Sequence, residues 1–291
     1  MMPGSPYTDL DRPPLSAARL RRALVAPNGP WRRLELLAET GSTNADAVAA
    51  ARAGEPEGLV VVAERQTSGR GRRGRVWQSP PRAGLATSVL LRPGEADAER
   101  GWAPVPVTGY GWLPLLAGVA LVEAVRLLAE LDARLKWPND LLVDGAKCAG
   151  VLAEAVPGEN DRPPGIVVGV GLNVTLRADE LPENPTGLPA TSLQLAGATA
   201  TDRDPLLRAL LRSLADWYER WRDAGGDAEA SGLREAYLAG CATIGRQVRV
   251  LLPDGSEAHG TATGVDADGQ LLVETDAGTL RLAAGDVLHL R

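Results

Sequence analysis

Two cysteines and two histidines in 291 residues set the first limits on chemistry. Cys148 and Cys241 stand far apart and make no disulfide framework, a usage that suits a reducing cytosol. His259 and His289 both fall late in the chain. Clusters with zinc spacing are therefore missing, and a Ser-His-Asp site would depend on one of those two histidines. What remains is lysine, arginine, carboxylates, backbone amides and metal-bound phosphates. An excess of positive charge is missing too. The formal net charge is −6, so the whole chain has no electrostatic footprint for nucleic acid and any basic site is local. Met1 to Pro14 is polar and Pro-rich, without the apolar stretch of a signal peptide. The most apolar run, Gly111 to Val122, is too short for a bilayer and is followed at once by Glu123 and Arg126, so it reads as a buried helix.

The composition present, 44% hydrophobic and 23% charged, is that of a soluble globular protein. The length suits one large domain plus a small one. Met1 to about Pro13 reads as a tail, and Leu15 to Ala26 as a short helix. Trp31–Leu37, Gly58–Ala63 and Leu85–Leu91 read as strands, with a helix from Asn44 to Ala53 capped by Ser42. Gly94 to Gly111 reads as a surface loop and Leu113 to Leu131 as a long apolar helix. Asp140–Val143 and Cys148–Val156 form a hairpin around Asp144-Gly145, followed by a strand from Ile166 to Val174. Helices are expected over Pro205–Ala224 and Ala228–Ala239. From Gly245 onward, four short β-like runs are separated by Pro253-Asp254-Gly255, Asp268-Gly269 and Asp276-Ala277-Gly278, a texture that suggests a small barrel.

Five stretches carry candidate chemistry. Between Arg65 and Arg75 lie five arginines and no acidic residue, interleaved with Gly69, Gly71 and Gly74. Glycines let the backbone approach a ligand, and guanidinium forks grip carboxylates and phosphates. The same stretch could equally be a solvated basic loop or a nucleic-acid patch, and it is neither a Walker loop nor a dinucleotide fingerprint. Lys136-Trp137-Pro138-Asn139-Asp140 displays an amide and a carboxylate on a proline-fixed turn, suited to phosphates or magnesium or else a plain Asx turn. Lys147 sits just after a turn, where a lysine is ordinarily a solvated edge residue. Gly169-Val170-Gly171-Leu172-Asn173 places glycines inside an apolar strand, a sign of close approach by another backbone or a ligand. Ser42-Thr43-Asn44 alone is a helix cap.

The order and spacing of these stretches, from Glu39–Asn44 through Gln66–Trp77, Lys136–Asp140 and Lys147–Leu152 to Gly169–Asn173, resemble the biotin–protein ligase family. The resemblance is strong from Leu34 to Val174 and weaker in the C-terminal part. It implies an α+β fold: a mixed β-sheet flanked by helices, like the catalytic domain of class II aminoacyl-tRNA synthetases, plus a small SH3-like β-barrel. Together with the change of texture near Gly240 to Gly245, it divides the chain into a tail and short helix (1–30), a catalytic domain (31–240) and a C-terminal domain (241–291).

The resemblance further implies a ligase that activates biotin with ATP to biotinyl-5′-AMP, then transfers biotin to one lysine of a biotin carboxyl carrier protein. Ser42, Thr43, Asn44, Gln66, Arg70, Gly71, Arg72 and Lys147 match the family's biotin-contacting positions. Arg70, Arg72, Arg73, Trp77, Asn139, Asp140 and Asn173 match the ATP side. Lys147 and Arg72 take the catalytic roles, and Asp140 is the candidate ligand for Mg²⁺. A cytoplasmic enzyme without membrane attachment, monomeric or weakly dimeric, is expected. About forty residues precede Ser42, too few for the winged-helix domain that many members carry, so DNA binding is not expected. Two other readings remain: a lipoate–protein ligase, whose glycine-rich loop ends near a histidine that this chain lacks there, and a nucleic-acid-binding protein using the Arg-Gly loop.

Overall fold

The computed structural model describes residues 12–158, 162–182, 188–251, 256–283 and 285–290. A seven-stranded sheet forms from β1 (Arg33–Leu37), β2 (Leu59–Ala63), β3 (Gly84–Leu91), β4 (Ala133–Lys136), β5 (Asp140–Val143), β6 (Ala146–Val156) and β7 (Gly165–Asn173). Its order is β1-β2-β3-β7-β6-β5-β4. Only β1 and β2 pair in parallel and the rest are antiparallel, so the sheet is mixed. Among the described residues five α-helices accompany it: α1 (Ala17–Leu24), α2 (Thr43–Arg52), α3 (Trp112–Ala129), α4 (Arg203–Asp223) and α5 (Leu233–Gly240). A separate antiparallel sheet contains β8 (Gln247–Leu251), β9 (Glu257–Val265), β10 (Leu271–Thr275), β11 (Gly278–Leu282) and β12 (Asp286–His289), in the order β11-β10-β9-β8-β12. This is the expected mixed sheet with a small β-structure behind it.

The unbroken apolar run of β2 follows from cover on both faces. Val60 and Val62 join the main core with α3 and α4, while Leu59 and Val61 pack with Ala47 and Ala51 of α2. α2 begins where Ser42 Oγ accepts from the Ala45 amide, and its alanines let it lie close to the sheet. That placement holds Ser42, Thr43 and Asn44 over β3, β6 and β7. α3 is apolar enough for its length to suit a membrane span, yet its residues are largely buried within the fold. Trp112 at its start is fully buried and donates from Nε1 to the Ala267 carbonyl at 2.7 Å, joining the large sheet's helices to the small sheet. Burial of such a side chain stabilises by about 1.5–3 kcal/mol.

Several expectations are corrected. The stretch Gly94 to Gly111 is not merely a surface loop: Trp102 and Val105 are buried, and Trp102 Nε1 donates to Asp223 Oδ1 at 2.7 Å while Arg222 stacks on its ring. Aromatic burial against α4 outweighs the turn-forming composition of that stretch. Arg12 and Pro13 are likewise anchored rather than part of a tail. The Arg12 guanidinium, buried, meets Glu180 Oε2 at 2.5 Å and the Thr175 carbonyl at 2.7 Å, because a buried cation needs such partners. Residues 1–11 lie outside the described residues. The last expected helix is shorter and starts at Leu233, since Gly232 takes a left-handed φ of 74°. β4 and β12 were not anticipated. Asp144 and Gly145, with φ of 50° and 76°, form the expected hairpin turn. The expected turn at Pro253-Asp254-Gly255 lies outside the described residues.

Candidate active site

The Arg-Gly stretch folds as a small hairpin against the sheet. Arg70 bridges Val76, the Gly71 amide donates to the Arg75 carbonyl at 2.7 Å, and the Trp77 amide donates to the Gly69 carbonyl at 2.9 Å. Arg73 and Gly74 at its tip take left-handed φ values of 55° and 72°. The hairpin covers a cavity of about 410 Å³ whose floor is the middle of β6 and β7. Gly150 faces Gly171 across these strands, and together they leave a bare patch of backbone. The Trp77 indole lies on it: a Cβ on Gly171 would stand 2.7 Å from Nε1, and one on Gly150 would stand 3.5 Å from both the indole and Lys147 Cε. The glycines of this strand are explained by that close approach.

At one end of the cavity the start of α2 is fixed by a polar network. Gln66 Oε1 accepts from the Thr43 amide at 2.9 Å. Ser88 Oγ of β3 lies 2.8 Å from Thr43 Oγ1 and 2.6 Å from Asn44 Oδ1. Asn44 Nδ2 donates to the Leu152 carbonyl at 3.2 Å and to Glu154 Oε2 at 2.7 Å. Gly169 makes room for Asn44, since a Cβ there would stand 2.8 Å from Asn44 Cγ.

At the other end sit the charges. Lys147 Nζ lies 2.6 Å from Asp140 Oδ1 across the β5–β6 hairpin and 5.9 Å from the Trp77 ring centre. Arg72 Nη1 donates to Asn139 Oδ1 at 3.2 Å, and Asn139 Nδ2 donates to the Val151 carbonyl at 3.0 Å. Asn173 is buried and donates to the Thr191 carbonyl at 2.9 Å. The backbone of Lys147 pairs with residues 189–191, which brings that segment to the rim. Cys148, next to Lys147, is fully buried and its thiol is pushed up to about 12 by that burial, so it offers no thiolate nucleophile.

Ser42, Thr43, Asn44, Gln66, Arg70, Gly71, Arg72, Trp77, Asn139, Lys147 and Asn173 thus line one cavity. Asp140 does not: it lines a neighbouring cavity of about 610 Å³ that reaches His289. Arg73 points toward the small sheet and donates to the Leu251 carbonyl at 3.3 Å. Ser88 and Glu154 went unnoticed in the sequence. The signal for Ser88 was a hydroxyl pair, Thr87-Ser88, inside an apolar strand covered on both faces, where a buried polar group needs a partner.

Residues 42–173 match the Biotin/lipoate A/B protein ligase family, and residues 243–290 match the Biotin protein ligase C terminal domain. A biotin–[acetyl-CoA-carboxylase] ligase of Mycobacterium tuberculosis is 41% identical, covering 98% of this chain and 100% of that protein. The bifunctional ligase/repressor BirA of Bacillus subtilis is 34% identical, covering 80% of this chain and 66% of that one. Among solved structures, the Aquifex aeolicus biotin protein ligase in complex with biotin and ATP superposes with a TM-score of 0.69 at 27% identity, covering 90% of this chain and 100% of that chain. With the glycine-floored cavity, the Arg-Gly hairpin and both matching regions in one chain, this protein belongs to the biotin protein ligase family.

Proposed function

We propose that the chain is a biotin–[acetyl-CoA-carboxylase] ligase acting in two steps. Biotin's carboxylate attacks the α-phosphorus of ATP, giving biotinyl-5′-AMP and pyrophosphate. A lysine amine of a biotin carboxyl carrier domain then attacks the acyl carbon, and AMP leaves. The observation that carries this reading is one cavity with a neutral polar end at Thr43 and Gln66, an apolar floor, and a cationic end at Lys147, Arg70 and Arg72. The neutral end suits uncharged rings and the cationic end suits two anions.

Both reactants of the first step are negative, so the site must offset their repulsion. Lys147 stands at the wall where the two anions meet, and Arg72 stands beside Asn139 above it. In a partly dry cavity such cations act more strongly than in water. Asp140 holds the Lys147 ammonium in place before the substrates arrive. Trp77, packed against the backbone of Gly171, supplies an aromatic face for the nucleotide, with Asn139 and Asn173 as amide contacts and Arg73 nearer the small sheet.

Among the described residues no group of three or more His, Cys, Asp or Glu side chains could hold a metal. Magnesium therefore fits as an ion arriving on ATP, held by phosphates with Asp140 as the protein carboxylate, where it would offset charge on the departing pyrophosphate. The adenylate is a mixed anhydride, and the Arg-Gly hairpin over the cavity keeps water from it.

Division into a segment 1–30, a catalytic domain 31–240 and a C-terminal domain 241–291 belongs to this reading. So do a cytoplasmic location, a monomer or weak dimer, and no binding to operator DNA or membrane. Incubation with biotin, MgATP and an isolated carrier domain tests it. One added biotin on one lysine is expected by mass spectrometry, and an unmodified carrier would overturn the reading.

A further inference from the structure

The network at the start of α2 has proton directions that can be worked out from its ends. Asn44 Nδ2 faces the Leu152 carbonyl and the Glu154 carboxylate at 3.2 and 2.7 Å, both acceptors. The Asn44 amide is therefore oriented with Oδ1 toward Ser88 Oγ, 2.6 Å away. Oδ1 carries no proton, so the single hydroxyl proton of Ser88 is directed at Asn44. At its other contact, 2.8 Å from Thr43 Oγ1, Ser88 accepts, and the Thr43 proton points inward to Ser88. The reverse assignment would leave buried Asn44 Oδ1 facing an oxygen with no proton between them, a costly arrangement for a buried polar atom.

Gln66 is fixed by the same logic. Its Oε1 accepts the Thr43 amide at 2.9 Å, which leaves Nε2 as a donor. Thr43 Oγ1 has a second acceptor in reach, Gln66 Oε1 at 3.1 Å, but its one proton goes to the shorter 2.8 Å contact with Ser88, whose own proton is spent on Asn44, so the Thr43–Gln66 pair is left without one. Both residues line the cavity, so a ligand that brings an N–H to this pair relieves it. The adjacent Nε2 suits a carbonyl. A cyclic urea presents both groups side by side.

We propose that Ser88, fully buried and outside the cavity wall, is a positioning residue that fixes Thr43 as a hydrogen-bond acceptor and thereby makes the cavity select a ring N–H in its ligand. Glu154 acts one step further back, by orienting Asn44. The inference rests on the reading of this cavity as the biotin site. Loss of Ser88 frees the Thr43 proton to turn to Gln66 Oε1, 3.1 Å away, which satisfies that pair without a ligand N–H. A site built around an N–H donor should reject an analogue lacking it by about tenfold or more.

The test compares biotin with its analogue carrying a ring oxygen in place of one urea N–H, by KM in biotin-dependent pyrophosphate exchange. Wild type should prefer biotin by about tenfold or more. Ser88→Ala should raise the KM for biotin, leave that for ATP within about twofold, and shrink the preference toward unity. Ser88→Cys keeps the side-chain volume but bonds weakly, should give an intermediate preference, and serves if the alanine variant does not fold. In a Thr43→Val background, Ser88→Ala should change the biotin KM by less than about twofold. An unchanged preference in the Ser88 variants, or the same KM factor in both backgrounds, overturns the inference. Wild type without any biotin-dependent exchange would instead overturn the functional reading on which it rests.

Discussion

Trp77 rests on the bare backbone of Gly171, where a Cβ would stand 2.7 Å from the indole Nε1. The contact links the Arg-Gly hairpin, which ends at Trp77, to the floor formed by β6 and β7. The backbone of Gly171 is ordinary strand, so it is space rather than φ that demands glycine. Gly171→Ala should therefore fold, because the indole sits at a cavity edge with room to move, but it should displace the ring. A loss of about 1–3 kcal/mol in nucleotide binding, about ten- to a hundredfold, is expected. Titration calorimetry with ATP on both proteins checks this, and equal affinities would show that the indole does not contact the nucleotide.

Lys147 and Asp140 give the second prediction. Lys147→Ala removes the cation at the reacting carboxylate and should lower adenylate formation by at least a hundredfold, since such contacts are worth several kcal/mol in a dry site. The protein should remain folded, because the lysine ends at a cavity wall. Single-turnover formation of biotinyl-AMP measures the loss. Activity within tenfold of wild type would remove Lys147 from the mechanism.

Arg72 bears on the life of the intermediate. Its contact with Asn139 Oδ1 at 3.2 Å ties the hairpin to the turn after β4. Arg72→Gly should remove that tie and a charge-assisted contact to the adenylate, together about 1–3 kcal/mol. The variant should still make biotinyl-AMP but release it roughly ten- to a hundredfold faster, with stray labelling of surface lysines. Equal dissociation rates would assign retention to the cavity walls instead.

His289 gives a pH dependence. Thr243 Oγ1 accepts from the Trp137 amide at 3.0 Å and lies 3.0 Å from His289 Nε2, which ties the turn before Asn139 to β12. The ring is held down to about 4, chiefly by burial, with Lys136 and Arg246 adding like charge. A folded value below the unfolded one of about 6.5 means the unfolded chain takes up the proton first. This contribution is therefore intact above pH 6.5 and is lost as pH falls from 6.5 toward 4. Denaturant unfolding should show a decline on the order of 1 kcal/mol over that window that is smaller in His289→Gln. An identical slope in both proteins would mean that the ring titrates alike folded and unfolded.

Much of this was legible in the sequence because each stretch has local grammar. Asp144-Gly145 needs two left-handed residues, Ser42 caps a helix, and glycines in an apolar strand demand a neighbour. What was not legible depends on tertiary contact. Nothing near Ser88 says that Asn44 and Glu154 will come to it from two other elements. Trp102 and Arg12 looked like loop and tail, because the Asp223 and Glu180 that hold them lie over a hundred residues away. β12 is short and follows a turn-rich stretch, so only its pairing with β8 defines it.

The most direct measurement is exchange of labelled pyrophosphate into ATP with purified protein, tested with biotin and then with lipoate. Exchange that depends on biotin, with at most a few per cent of that rate with lipoate, is the predicted result. Exchange driven equally by lipoate, or none with biotin while the protein is folded, would contradict the account.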